Sequence, residues 1–453
     1  MTLRERLGAA RLDGLVLSDD RTSIAYADLL RGSGQEPAAA KLAGRSVLVA
    51  TGRQLTAGRA MVALDGLVRR LVLAPPGLPP DHVARIVADA EVELAVTDAG
   101  SPYAEALACL PCLDVEAACA VAGSSLDTEW VLATSGTTGA PKLVVHTLEG
   151  LAGAIDTAVA TEPGTVWSTF YDIRRYGGLQ VFLRAMLGPS SLVLSHAGEP
   201  VRAFLARAAE AGVTHLLGTP SHWRLALMSP ELGRLAPRYV RLSGEIADQA
   251  VLDLLKAAFP KARLAHAYAS TEGGVGFTVE DGREGFPATF LGARAGIEIE
   301  LRDDTLHVRS RRTGRLYLGP DAEELIAPDG FVDTGDRVEL RGERYHFLGR
   351  RSGVINVGGA KVQPEEVESV INAHPRVSMS RVRARPNPLL GAVVEAEIVL
   401  REEKAEPPED PVLLKGAILA HCRPRLARHK VPASVKFVPG LPLTAGGKLR
   451  RAP

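Results

Sequence analysis

Short apolar runs of strand length alternate with amphipathic helical stretches along most of this chain, and that alternation limits its fold more than any other feature. Residues 46–50 and 94–97 read as buried strands, and the spacing of apolar positions predicts a helix over 79–90 between them. A second helical pattern at 201–211 leads into a strand-like run at 213–217. Strand, covering helix and next strand form the unit from which parallel sheets are built. From about residue 304 to 347 helical stretches thin out and short alternating runs dominate, which predicts a small β-rich subdomain. After 350–353 comes a compact α+β pattern. It has strands at 354–357 and 393–400, helices at 364–373 and 411–426, and a solvated loop rich in charge and proline at 402–410. A chain of 453 residues is too long for one ordinary core. The expected fold is α/β, with a large N-terminal domain (1–350) of layered, largely parallel sheets including the β-rich subdomain. A small, mobile α+β C-terminal domain (351–453) completes it.

The charge balance narrows the partners. Lys+Arg and Asp+Glu both number 53, so there is no net basic charge to favour nucleic acid or an anionic membrane surface. No run of apolar residues is long enough to insert in a membrane, and the charged N-terminus is unlike a signal peptide. The four cysteines, Cys109, Cys112, Cys119 and Cys422, lack a second Cys-x-x-Cys or a Cys/His pair to complete a metal site. They are expected to be small, buried or partly buried thiols in a reducing, cytoplasmic setting, in a monomer or homodimer.

The densest chemistry comes after the predicted strand 130–133. In nine residues, Thr134-Ser135-Gly136-Thr137-Thr138-Gly139-Ala140-Pro141-Lys142, the chain offers four hydroxyls, two glycines and a lysine. A polyanion needs many donors in a small volume. Glycines let backbone N–H groups approach, hydroxyls add donors, and lysine supplies charge. The phosphoryl-transfer P-loop places Lys directly after its second glycine, with a metal-binding hydroxyl next. Here two residues separate Gly139 from Lys142, and Leu143 comes next.

This string resembles the [T/S]SG[T/S]TGxPK pattern of the adenylate-forming superfamily: acyl-CoA synthetases, peptide-synthetase adenylation domains and firefly-type luciferases. Further segments resemble that family in the same order. Tyr239-Val-Arg-Leu-Ser243-Gly244-Glu245 is similar to the strand and turn lining the adenine pocket, with Ser243 in place of the commoner Gly or Ala. His266-Ala267-Tyr268-Ala269-Ser270-Thr271-Glu272 is similar to the YGxTE segment. The resemblance implies an aromatic ring for adenine, a Thr271 hydroxyl for the α-phosphate and a Glu272 carboxylate for Mg2+; Ala269 replaces the usual glycine near the acyl pocket. Asp336, ending Thr334-Gly335-Asp336, inherits the ribose-binding role, and Arg350 is the candidate second ribose contact. Ser352 stands at the interdomain hinge, where relatives carry Asp or Lys, and Gly358-Gly359 matches the turn beside the pantetheine tunnel. Lys448, within Leu441-Pro-Leu-Thr444-Ala-Gly-Gly447-Lys448, takes the place of the catalytic lysine.

The resemblance implies ATP-dependent activation of a small carboxylic acid to acyl-AMP with Mg2+. The acyl group would then pass to the pantetheine thiol of CoA or of an acyl or peptidyl carrier protein. The acid would meet Tyr171, Asp172, Tyr176, Gly177, Gly178, Ala269 and Ser270. Amino-acid-activating relatives carry FDxS at 171–174, where Asp binds the substrate ammonium. This chain keeps Asp172 but has Arg174 in place of Ser, so Asp172 could instead pair with Arg174 or Arg175. A non-amino aryl or short acyl acid is favoured. A free-standing amino-acid adenylation protein and a nucleotide-binding regulator without catalysis are the alternatives.

Overall fold

The computed structural model describes residues 1–31, 40–119, 126–134, 141–155, 162–320, 322–401 and 410–451. Two large, mostly parallel sheets dominate the N-terminal part. The first has eight strands in the order Gly274–Val279, Arg263–Ser270, Tyr239–Ser243, His215–Gly218, Val166–Thr169, Ser191–Leu194, Val16–Ser18 and Ser23–Ala25. Only its two edge strands run antiparallel. The second has seven strands, with Glu129–Ala133, Arg70–Leu73, Ser46–Val49, Leu94–Thr97 and Cys112–Asp114 parallel and Leu143–Thr147 and Leu316–Leu318 antiparallel at one edge.

Strand periodicity explains the layering. Val47 and Val49 face one hydrophobic cluster while Leu48 and Ala50 face another, and Leu71 and Leu73 alternate in the same way with Val72 and Ala74. The shared inner cluster holds helices Gln54–Leu64 and Tyr176–Leu187 between the two sheets. Helices Val201–Glu210, Pro220–Leu227 and Gln249–Ala258 cover the outer face of the eight-stranded sheet. Strands buried on both faces need apolar residues at most positions, as Ser46–Val49, Arg70–Leu73 and Leu94–Thr97 have.

The remaining architecture is a six-stranded antiparallel sheet and the C-terminal domain. The sheet begins at Phe286–Pro287, earlier than the predicted 304, because its first strands are only two or three residues long and carry too few alternations to read. The C-terminal domain has its own apolar cluster, drawn from residues between Ile355 and Val435. Its strands Val377–Asn387, Gly391–Leu400 and Ser434–Phe437 form a sheet backed by helices Pro364–Asn372 and Pro411–Cys422. Strand Val377–Asn387 was not expected; its second half, Arg-Ala-Arg-Pro-Asn, is charged and contains proline. The helix at 411 ends four residues short of 426, and residues 402–409 of the predicted loop lie outside the described residues. Cys109 and Cys112 are exposed rather than buried, Cys119 is partly buried and Cys422 is buried, and all four are free thiols. Among the described residues no helix is long and apolar enough to cross a membrane.

Candidate active site

The predicted phosphate loop is a hairpin connection. Glu129–Ala133 pairs antiparallel with Leu143–Thr147, and the loop between them is pinched at its base. There the Thr134 N–H donates to the Lys142 carbonyl at 2.9 Å, and the Lys142 N–H donates to Thr134 Oγ1 at 3.2 Å. Ser135, Gly136, Thr137, Thr138 and Gly139 lie outside the described residues. Lys142 itself is exposed, with Nζ 2.7 Å from a Glu323 carboxylate oxygen and 4.9 Å from the centre of the Tyr317 ring.

Two strand ends meet beside this hairpin. Tyr239–Ser243 ends in Gly244, whose φ of +86° belongs to the left-handed region that glycine accepts readily. A β-carbon on Gly244 would sit 3.3 Å from Lys448 Cε. The next residue, Glu245, uses its carboxylate to accept from the Ser221 N–H at 3.0 Å and from the Leu449 N–H at 2.8 Å. Its side chain therefore ties the two domains together, a role beyond the backbone contact expected of it.

The neighbouring strand Arg263–Ser270 shifts register between Tyr268 and Ala269, a bulge that redirects the chain before Thr271 and Glu272. Tyr268 lies against Phe277 and Phe347, with ring centres 5.4 and 5.2 Å away, and its hydroxyl donates to Asp336 Oδ2 at 2.8 Å. Asp336 and Arg350 are directly opposite on adjacent antiparallel strands, and Arg350 Nε reaches Asp336 Oδ1 at 3.3 Å. Glu272 is half-buried, and its carboxylate makes no hydrogen bond or ion pair among the described residues; its carbonyl accepts from the Gly314 N–H at 2.8 Å.

Lys448 arrives from the C-terminal domain in a tight turn. The Thr444 N–H donates to the Lys448 carbonyl at 2.7 Å, and Leu443 bridges to Leu449. Thr219 Oγ1 anchors the turn by donating to the Gly447 carbonyl at 2.6 Å. Burial and the Arg350 guanidinium push the Lys448 ammonium below the ordinary lysine value. Glu245, Asp336 and Glu272 pull it back without cancelling that shift. The fold thus brings Gly244, Glu245, Glu272, Asp336, Arg350 and Lys448 to one place, although they span two hundred residues of sequence.

On the expected acyl side, Tyr171 and Tyr176 are buried, and the Tyr171 hydroxyl donates to the Ser243 carbonyl at 2.8 Å. Asp172 is not offered to a substrate. Arg174 donates to it from Nε at 2.8 Å, from Nη2 at 2.6 Å and from its own backbone N–H at 2.9 Å, and both side chains are buried. Burial alone would raise the Asp172 carboxyl; Arg174 outweighs burial and holds it below the ordinary carboxylate value. Gly178 serves packing, because a β-carbon there would overlap the Asp172 backbone, and Gly177 lies against the Tyr171 ring. His266 Nε2 lies 2.9 Å from the Arg283 carbonyl, a link to a neighbouring loop. Ala267 is buried within its strand, and Ser270 Oγ accepts from the Gly273 N–H at 2.8 Å. The Gly358–Gly359 turn packs on the 387–391 turn, with the Gly358 N–H donating to the Leu390 carbonyl at 2.9 Å.

The sequence profile of the AMP-binding enzymes matches residues 25–321, about two thirds of the chain, and that of the AMP-binding enzyme C-terminal domain matches residues 366–448. The chain belongs to the AMP-binding enzyme family. It is 29% identical to the probable non-canonical nonribosomal peptide synthetase CymA of Salinispora arenicola over 98% of this chain, and it spans only 6% of CymA. It is also 29% identical to 4-hydroxybutyrate–CoA ligase 1 of Metallosphaera sedula, over 70% of this chain and 60% of that protein. The crystal structure of the anthranilate–CoA ligase AuaEII with anthranoyl-AMP matches with a TM-score of 0.83 over 99% of this chain and 96% of that one. At 19% identity that likeness speaks for the fold.

Within this AMP-binding enzyme, sequence reasoning passed over Thr219 and His222. They head helix Pro220–Leu227 as a reciprocal cap: the His222 N–H donates to Thr219 Oγ1 at 3.0 Å, and the Thr219 N–H donates to His222 Nδ1 at 3.2 Å. The string Thr-Pro-Ser-His carried a helix-start signal. Its contact with Gly447, where a β-carbon would overlap the His222 ring, carried none.

Proposed function

We propose that this chain is an AMP-forming acid–thiol ligase. It activates a carboxylic acid with ATP to acyl-AMP, releasing pyrophosphate, and passes the acyl group to the pantetheine thiol of CoA or a carrier protein. The observation that carries the reading is Lys448 lying against Gly244 in the same cluster as Glu272, Asp336 and Arg350. A carboxylate is a poor acyl donor because its leaving group would be oxide. Attack of a carboxylate oxygen on the α-phosphorus forms the mixed anhydride and breaks the bond to pyrophosphate. Negative charge builds on the phosphoryl oxygens meanwhile, and fixed donors aimed there lower the barrier. Lys448 supplies the cation, Thr271 a hydroxyl, and loop 134–142 the grip on pyrophosphate. Asp336 uses one lone pair per oxygen on Tyr268 and Arg350 and keeps capacity for the ribose hydroxyls.

Glu272 fits a Mg2+ ligand: it is a hard oxygen donor left free among the described residues, and Mg2+ commonly binds one or two carboxylates with phosphates and water. Bound there, Mg2+ would draw charge from the phosphate oxygens. The Asp172–Arg174 pair favours a non-amino acid, since an ammonium would meet a carboxylate already neutralised. Tyr171 and Tyr176 suit an aryl or short acyl group, and the likeness to CymA supports a carrier protein as the alternative thiol. The second step calls for the C-terminal domain (351–453) to turn about Ser352, withdrawing Lys448 and presenting Gly358–Gly359.

The test is ATP–pyrophosphate exchange with a panel of aryl, short acyl and amino acids, and then thioester capture with CoA. Lys448→Ala should abolish exchange yet spare thioester formation from supplied acyl-AMP. Equal loss of both half-reactions defeats the two-conformation reading. Exchange confined to amino acids defeats the choice of acid.

A further inference from the structure

Strand Tyr239–Ser243 carries a buried cation that the proposed adenylation chemistry does not use. Val240 and Leu242 face the outer helices, while Tyr239 belongs to the inner cluster with Tyr171 and Tyr176. Alternation puts Arg241 on that inner face, in register with Leu217 and Ala265, both members of the inner cluster. Arg241 is only 6% exposed, and its Nε has no hydrogen-bond partner. Among the described residues its side chain makes no hydrogen bond or ion pair that would neutralise it.

The surroundings deepen the imbalance. Arg184 and Arg312 share the neighbourhood of Tyr176 with Arg241, and both donate to backbone carbonyls, Arg184 to Gln180 and Arg312 to Ala295. Arg184 is pushed down to about 9, by burial first and by Arg241 second. The carboxylate that shares the neighbourhood of Tyr171, that of Glu245, is engaged by the Ser221 and Leu449 N–H groups. A buried charge without a counterion is costly, and an anion brought to it relieves that cost. Arg241 lies three residues before Gly244, against which Lys448 rests, hence ~10 Å along the strand at ~3.3 Å per residue. A short chain or one aromatic ring bridges that span.

Resting on the proposed acid-activating function, we infer that the acyl pocket takes a dicarboxylic acid, one carboxylate being activated while the guanidinium of Arg241 holds the other. Arg241 would then set specificity: a substrate lacking the second carboxylate leaves the guanidinium buried and unpaired, the arrangement that discriminates most strongly between analogues.

The experiment compares aliphatic and aromatic diacids, each with its monomethyl ester and its chain-matched monoacid, in ATP–pyrophosphate exchange. Wild type should use the best diacid at least ~100-fold better in kcat/KM than its half-ester. Arg241→Leu should erase that ratio by losing the diacid while retaining or gaining the monoacid, and Arg241→Lys should keep part of it. Equal use of diacid and half-ester by wild type overturns the inference, as does a parallel loss of both substrates in Arg241→Leu. Should that variant not fold, the wild-type ratio decides alone. Exchange with monoacids only would sink this inference and leave the proposed function standing; exchange with no acid at all would sink both.

Discussion

Asp172 and Arg174 are the sharpest case of one residue changing the meaning of another. Their guanidinium and carboxylate are both buried, and Arg174 Nη1 also donates to the Thr51 carbonyl, so the pair fastens the 171–175 turn to residue 51, two past the end of strand Ser46–Val49. Removing one partner strands the other charge. Arg174→Met should lower the free energy of unfolding by about 3–5 kcal/mol, read from urea titration. Replacing both partners by apolar residues should recover much of that. A change below about 1 kcal/mol in Arg174→Met would show that the pair is solvated. This pairing was legible as an alternative, because two residues of opposite charge stood two positions apart. Arg241 was not. In the string Tyr-Val-Arg-Leu-Ser an arginine between apolar residues reads as the solvent side of a half-buried strand, and only the second layer of helices puts that side indoors.

At the scale of elements, helix Pro220–Leu227 couples its own cap to the lysine turn. His222 Nδ1 accepts from the Thr219 N–H, so the ring must be neutral for the cap to hold, and burial lowers its pKa to about 4. Unfolded, the same ring titrates near ~6.5. Between these values the unfolded chain binds a proton that the folded chain refuses, so this histidine's contribution to stability falls as pH drops from ~6.5 to about 4. In urea midpoints measured across that window, His222→Gln should show a shallower decline than wild type, by up to ~1.4 kcal/mol per pH unit. Identical slopes would mean that the ring protonates freely in the native state. Elements with a clear apolar pattern were legible to within a few residues: Leu94–Thr97 fell where predicted, and the predicted helix 79–90 is Pro80–Asp89. The early strands of the six-stranded sheet were not, because two or three residues display no period; Val377–Asn387 was passed over although Val-Ser-Met-Ser-Arg-Val-Arg-Ala-Arg alternates with the period of a strand before Pro386.

For the whole molecule, the candidate site draws its members from both domains. Motif order in the sequence identified most members of the Lys448 cluster, and it could not say which contacts hold the domains together. These are the Thr219–Gly447 and Glu245–Leu449 hydrogen bonds, Arg224 Nη1 donating to the Ser378 carbonyl at 2.8 Å, and Asn372 donating to Asp248 at 3.2 Å. The buried Arg224–Asp248 ion pair lies wholly within the large domain, and both Arg451 pairs, with Glu365 and Glu368, lie wholly within the small one. Among the described ion pairs, the exposed Arg351–Asp333 pair beside the hinge is the one that crosses between them. The proposed rotation therefore parts hydrogen bonds that water can replace and one exposed ion pair; it also draws the Lys448 ammonium away from the Glu245, Asp336 and Glu272 carboxylates, within a buried cluster that dissolved ions screen little. Dissolved ions act on separated charges and scarcely on such bonds. The rate of interconversion, tracked by fluorescence energy transfer between dyes on the two domains, should change less than about twofold between 0.05 and 0.5 M potassium chloride, spanning Debye lengths of roughly 14 to 4 Å. A steep dependence would place the barrier in charges outside this interface. If the proposed rotation follows these contacts, geometry rather than charge sets its timing, which should survive large swings in the ionic strength around it.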